Sequence, residues 1–298
     1  MYYRNLSGYL REQYGKRLKK ICIDGGFTCP NRDGTVGVGG CIFCGERGAG
    51  EHINPTLEIS EQVASALKSA KDEDVFIAYF QNFTGTYEKV EVLRERYNAS
   101  LIDKRIKILA VGTRPDAINE EVARLLASYL DTHDVWVELG LQTASDETAR
   151  VINRGYTLDV FDSAVKLLIS YGIKVVVHVI VGLPGETGAD AVSTVRHITS
   201  FPIFGIKIHS LYVMEGTRLA EMYREKRYTP PTLSEYADTV AEMLGIIPET
   251  VVIHRITGDC PEGMLLSPEW SRDKHAVIGA IEERMRERGI TQGSLIKK

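Results

Sequence analysis

Cys29, Cys41 and Cys44 lie in the stretch CPNRDGTVGVGGCIFC, three of the chain's five cysteines within sixteen residues, at the spacing C-x11-C-x2-C. In a reducing compartment, clustered thiols read as metal ligands or redox groups rather than as a disulfide framework. A closed structural zinc site takes four ligands, and an iron–sulfur cluster usually takes four thiolates. Three thiolates suit a [4Fe-4S] cluster in which one iron keeps a coordination position for another ligand. The alternative is a zinc knuckle completed by Cys22 or His52. Gly34, Gly37, Gly39 and Gly40 separate the thiols. Glycine lets backbone wrap closely around a bulky inorganic core.

Polar side chains also recur within apolar runs. In VWVELGLQT, period two puts Glu138, Gly140 and Gln142 on one face and Val137, Leu139 and Leu141 on the other. A carboxylate and an amide around a glycine could read sugar hydroxyls. Alternatively, Glu138 is the buried partner of a lysine. In VVVHVIVGLPGET, His178, Ile180 and Gly182 share a face, and the GLPGET turn offers backbone N–H groups at a helix start. In GIKIHSLYV, Lys207, His209 and Leu211 share a face. Two basic groups inside a fold need partners, and Glu138 is one candidate. Cys22 reads as a small core residue. Cys260, in TGDCPEG, is a candidate hydrogen-atom donor. The candidate catalytic groups are therefore His178, Lys207, His209 and Cys260.

The elements that must carry these groups alternate. KKICID, VFIAYFQ, IKILAVG, VWVELGLQ, IKVVVHVIVG and GIKIHSLYV read as strands, with amphipathic helical patterns between them. Such alternation predicts βαβ units and a parallel sheet. Six units with polar residues at strand ends predict an α/β fold, a complete or partial (β/α) barrel. TVVIHRITGD is a candidate seventh strand, and the segment after Thr217 is otherwise mostly helical. The expected organisation is an N-terminal basic segment (1–18), a partial barrel (19–216) and a C-terminal extension packed on it (217–298).

The segment DGGFTCPNRDGTVGVGGCIFC resembles the cluster loop of the radical SAM superfamily, in particular that of the YhcC-type family, a relative of the elongator-protein-3-like enzymes. The resemblance extends over nearly the whole chain. It implies a six-unit partial barrel, a [4Fe-4S] cluster on Cys29, Cys41 and Cys44, and S-adenosyl-L-methionine bound to the remaining iron. One electron, from a donor such as flavodoxin or ferredoxin, would cleave that cofactor to methionine and a 5′-deoxyadenosyl radical. By the same resemblance Glu138 and Gln142 contact S-adenosylmethionine, and Arg154 in NRGYT pairs with its carboxylate. Gly182, Leu183, Pro184, Leu211 and Tyr212 lie near its adenine. Gln81 and Asn82 replace the family's GGE-like motif, and Thr113, Arg114 and Asp116 resemble a TRPD element in which the arginine and aspartate also suit each other.

Related enzymes act on tRNA, which implies modification of a wobble-uridine side chain. A small metabolite or peptide is the alternative substrate, and an iron–sulfur electron carrier or sensor the alternative function. The formal net charge of -4 gives no global attraction to nucleic acid. A tRNA partner would need a local patch, for which Arg11, Lys16, Arg17, Lys19, Lys20 and the C-terminal LIKK are the candidates. The opening residues carry no apolar signal region, and VVVHVIVGL is too short to span a bilayer. The expectation is a cytoplasmic protein with no membrane partner.

Overall fold

The computed structural model describes residues 2–48, 57–261 and 263–296. His52, Lys297 and Lys298 lie outside them. Seven parallel strands form one curled half-barrel sheet in the order β1 (Lys19–Ile23), β2 (Phe76–Phe80), β3 (Ile106–Thr113), β4 (Asp134–Gln142), β5 (Lys174–Val181), β6 (Gly205–Ser210) and β8 (Val252–Arg255). β1 and β8 are the two edges. The short β7 (Val213–Met214) pairs antiparallel with β9 (Leu265–Ser267). The seventh strand of the sheet therefore comes from the C-terminal segment.

The helices following successive strands are α2 (Ile59–Leu67), α3 (Val90–Ser100), α4 (Glu120–Ala127), α6 (Leu158–Ser170), α7 (Gly188–Ile198) and α9 (Leu233–Ile246), with α10 (Lys274–Glu287) packed on α9. Their apolar stripes cover the outer face of the sheet, where Val137, Leu139, Leu141, Val175, Val177, Ile206 and Ile253 are buried. A β-strand turns alternate residues to opposite faces. The outward set is thus the aliphatic one, which leaves the polar set facing in.

Two helices lie where no helical segment is predicted, α1 (Leu6–Tyr14) and α5 (Asp146–Val151), while α8 (Arg218–Arg224) opens the C-terminal segment expected to be mostly helical. α1 matters most for the site. Asn5 caps it by accepting from Gly8 N at 2.8 Å, and Gly15 ends it with a φ of 70°. Its Tyr9 and Leu10 pack against Ile77, Ile108, Trp136 and Val252, inward residues near the N-terminal ends of their strands. The N-terminal segment thus plugs one end of the half-barrel, and the cysteine loop lies beyond the other.

The basic run is correspondingly divided. Lys16 donates to Glu73 O at 2.8 Å, Lys19 pairs with Asp74 at 2.6 Å, and Lys20 faces the barrel interior over the ring of Tyr79. Arg11 and Arg17 are exposed at the plugged end.

Candidate active site

A cavity of about 810 Å³ runs from the cysteine loop into the half-barrel. Cys29, Cys41 and Cys44 line it together with Lys20, Gln81, Thr113, Glu138, Gly140, Gln142, His178, Lys207, His209, Leu211, Tyr212 and Arg255. Two left-handed glycines, Gly39 (φ 77°) and Gly40 (φ 75°), turn the chain immediately before Cys41, a conformation that costs glycine little. Gly40 O accepts from Asn153 Nδ2 at 2.8 Å, and Asn31 Nδ2 donates to Asn153 O at 2.5 Å. The loop is thereby pinned to the end of α5. Arg32 donates to the carbonyls of Cys44, Gly45 and Glu46.

Glu138 is the hub of the interior. Its Oε2 accepts from Lys207 Nζ, from Tyr79 OH at 2.7 Å and from His178 Nε2 at 2.9 Å. Burial alone would raise this carboxyl, but Lys207 and the His178 bond outweigh it and hold the group well below the carboxylate range. Burial brings Lys207 down to about 8 despite the opposing pull of Glu138. Both readings agree on an ionised Glu138 beside a Lys207 that is charged at neutral pH. Burial likewise lowers His178, and lowers His209 further with the help of His178 and Arg255. Both shifts favour the neutral imidazole, and the two rings lie 5.1 Å apart.

Several expected positions change. Arg154 does not present a free fork. Its Nε and Nη2 donate to Tyr156 O at 3.0 and 2.9 Å, Nη1 to Leu141 O and Thr143 O at 2.9 and 2.6 Å, and Nη2 to Asp146 Oδ1 at 3.2 Å. All five guanidinium N–H groups are used, so Arg154 ties down the turn after β4. Arg114 and Asp116 pair with each other at 2.6 and 2.9 Å. Gly182, Leu183 and Pro184 do not line the cavity. Gly182 lies under Pro231 and accepts from Tyr228 OH at 2.7 Å, and Leu183 is buried with Ile42 and Leu211. Asn82 donates to Asp24 at 2.8 Å behind the wall, whereas Gln81 is on it. Cys22 is exposed to the cavity rather than packed in the core. Cys260 is half-buried between the lining residues Asp259 and Pro261.

Tyr79, Thr84, Tyr156 and Arg255 line the cavity without having been singled out, and Lys20, expected in a surface patch, joins them. Period two on β1 and β2 would have found Lys20 and Tyr79. Arg255 has a different cause. The β6–β8 ladder slips between Ile206 and Lys207, pairing Ile206 with Ile253 but Lys207 with Arg255. This bulge carries His254 and Arg255 to the inner side together.

The cysteine site fits a cluster. Three thiols, those of Cys29, Cys41 and Cys44, line one cavity. A cluster takes its thiolates on different irons, so its ligands need not meet at a point. The Cys41 bond lowers Cys44 to about 7 against its burial, with Arg32 and Arg114 also favouring the thiolate. Thr84 Oγ1 and His209 Nε2 are buried on the lining without hydrogen-bond partners, and a bound molecule can satisfy both.

Comparison with known proteins agrees. Residues 29–198 match the Radical SAM superfamily and residues 203–287 the Radical_SAM C-terminal domain. The chain is 37% identical to YtqA of Bacillus subtilis over 99% of its own length and 93% of that protein's. It is 36% identical to YhcC of Escherichia coli K12 over 97% and 94% of the two lengths. A partial relative is the tRNA uridine(34) acetyltransferase of Dehalococcoides mccartyi, 32% identical over 51% of this chain and 33% of that one. The fold is also that of the archaeal Elp3 of Methanocaldococcus infernus, with a TM-score of 0.69 at 19% identity over 92% of this chain and 64% of the other. A half-barrel, a three-cysteine loop at its open end and these matches together make the chain a radical SAM enzyme, a member of the superfamily that binds a [4Fe-4S] cluster and S-adenosylmethionine.

Proposed function

We propose that the enzyme modifies a substrate held inside the half-barrel, between the cysteine loop and the Glu138 layer. The observation that carries this is the continuity of the cavity, whose wall includes both the three thiols and the Glu138–Lys207 pair. When bound, the cluster and S-adenosylmethionine supply reductive cleavage of the sulfonium and a carbon radical for hydrogen-atom abstraction. This chain's residues do the rest. Cys29, Cys41 and Cys44 hold the cluster. Thr84, Gln81, Thr113 and Gln142, on the cavity wall, are the groups placed to orient S-adenosylmethionine. Glu138 keeps Lys207, His178 and Tyr79 in place, and the α1 plug keeps water out from below.

The expected result for anaerobically reconstituted protein with dithionite is 5′-deoxyadenosine and methionine in equal amounts. Absence of both from protein carrying the cluster would overturn the proposal.

Two substrate classes compete. A tRNA nucleoside is supported by the partial relative that acetylates tRNA uridine 34. A small metabolite is supported by the interior, where the buried Lys207 and the imidazoles of His178 and His209 lie on the cavity wall. The geometry favours the small substrate. Salt-dependent tRNA binding, together with a changed nucleoside in tRNA from cells lacking the protein, would reverse that preference.

A further inference from the structure

The cavity is cationic in an acidic protein. Its lining carries Lys20, Arg32, Arg114, Arg154, Lys207 and Arg255 against two carboxylates, Glu138 and Asp259. Most of these charges are accounted for. Arg114 and Arg154 are bound to Asp116 and Asp146, Lys207 to Glu138, and Arg32 to loop carbonyls beside Cys44. Two are not. Lys20 rests over the Tyr79 ring at 5.1 Å, and no carboxylate bridges it among the described residues. Arg255 is 3.6 Å from Asp259, but Lys274 holds the same carboxylate at 2.6 Å.

These two charges stand on opposite edge strands, β1 and β8, and point into the same space. Cys22 on β1 registers the convergence: Lys20, Lys207 and Arg255 all act on its thiol, opposing its burial. Lys207 lies beside Arg255 in register, and His178 beside Lys207. His209 Nε2 adds a buried nitrogen without a partner. Lys20 and Arg255 stay open to water at the seam between the edge strands, so an incoming anion can reach both.

We propose that Lys20, Lys207 and Arg255 bind the anionic oxygen group, a carboxylate or a phosphate, of a small-molecule substrate, with His209 completing its contacts. This rests on the reading that the half-barrel holds the substrate. It assigns a substrate class and an orientation, with the anion at the edge-strand seam and the reacting carbon toward the cysteines.

Cys22 serves as the local reporter. Its alkylation by iodoacetamide is followed at pH 7.5 by peptide mass spectrometry on the anaerobic, cluster-loaded protein. The probes are inorganic phosphate and acetate, each against potassium chloride at matched ionic strength. One of the two anions should slow Cys22 alkylation saturably, by about tenfold, while chloride does not. Its half-saturation should rise about tenfold in Lys20→Ala and in Arg255→Ala, the loss of one charge-assisted contact, while Lys20→Arg retains protection. Which anion protects separates phosphate from carboxylate. No protection by either anion, protection by tRNA alone, or undiminished protection in the Lys20→Ala/Arg255→Ala double variant would overturn the proposal. The readout needs no turnover. Protection without 5′-deoxyadenosine formation would remove the enzymatic reading and keep the anion site. Formation without protection would do the reverse.

Discussion

Glu138 shows how one carboxylate can organise a polar interior. Three donors converge on its Oε2, and the nearest is an ammonium as buried as itself. Removing one charge of such a pair strands the other, at about 3–5 kcal/mol. Glu138→Gln should therefore lower the unfolding free energy by that order in urea titration, and adding Lys207→Met should restore much of it. An equal loss in the double variant would mean that the pair is not coupled. The pH dependence has a definite sign. The folded pKa of Glu138 lies below its ordinary value, so its stabilisation is complete above about pH 4.5 and fades as pH falls through the folded value. The gap between wild type and Glu138→Gln should narrow in acid. The cysteines permit a sharper contrast. Replacing Cys29, Cys41 or Cys44 by Ala should abolish the visible absorption and the roughly four irons of the loaded protein. Cys22→Ala should keep both, because Cys22 stands on β1 among Lys20, Lys207 and Glu138 rather than in the loop.

At the level of elements, the turn after β4 and the N-terminal helix carry the site without touching its chemistry. Arg154 stitches Leu141, Thr143 and Tyr156 carbonyls together while its guanidinium lies 4.5 Å from the Tyr156 ring. Lysine has three donors on a flexible stem and cannot reproduce that fork. Arg154→Lys should cost about 2–4 kcal/mol through unsatisfied buried carbonyls. It should change S-adenosylmethionine affinity little in the folded fraction. A large loss of affinity at unchanged stability would return Arg154 to ligand binding. Leu10 on α1 is buried at the plugged end. Leu10→Ala should cost about 2–5 kcal/mol, read by thermal unfolding, and leave iron content per folded molecule unchanged.

For the whole molecule, charge is distributed by depth. The chain is net acidic, its cavity lining is cationic, and the exposed Arg11 and Arg17 lie at the plugged end, away from the cysteine loop. Neutralising Arg11, Lys16 and Arg17 together should leave tRNA affinity and its salt slope unaltered. A slope reduced by about one per residue would identify them as phosphate contacts and bring tRNA around the closed end of the barrel. Among the described residues no helix is long and apolar enough to cross a membrane.

The cysteine spacing and the alternation of strands with helices were legible in the chain alone, because ligand spacing and period-two burial are local properties. The inward faces of β4, β5 and β6 followed from the same alternation, since a central parallel strand must turn its aliphatic side to the helices. What the chain alone did not determine depends on partners distant in sequence. The role of Arg154 is set by carbonyls on β4 and by Asp146, and that of Gly182 by Pro231 and Tyr228. α1 was hidden because it is short, with Leu6, Tyr9, Leu10 and Tyr14 beside Ser7 and Gly8, and only the end of the half-barrel opposite the cysteine loop gives them something to cover. Arg255 enters the cavity through a ladder slip against β6. Register is a property of two strands, so only the tertiary structure could decide that this arginine faces Lys207 and Cys22.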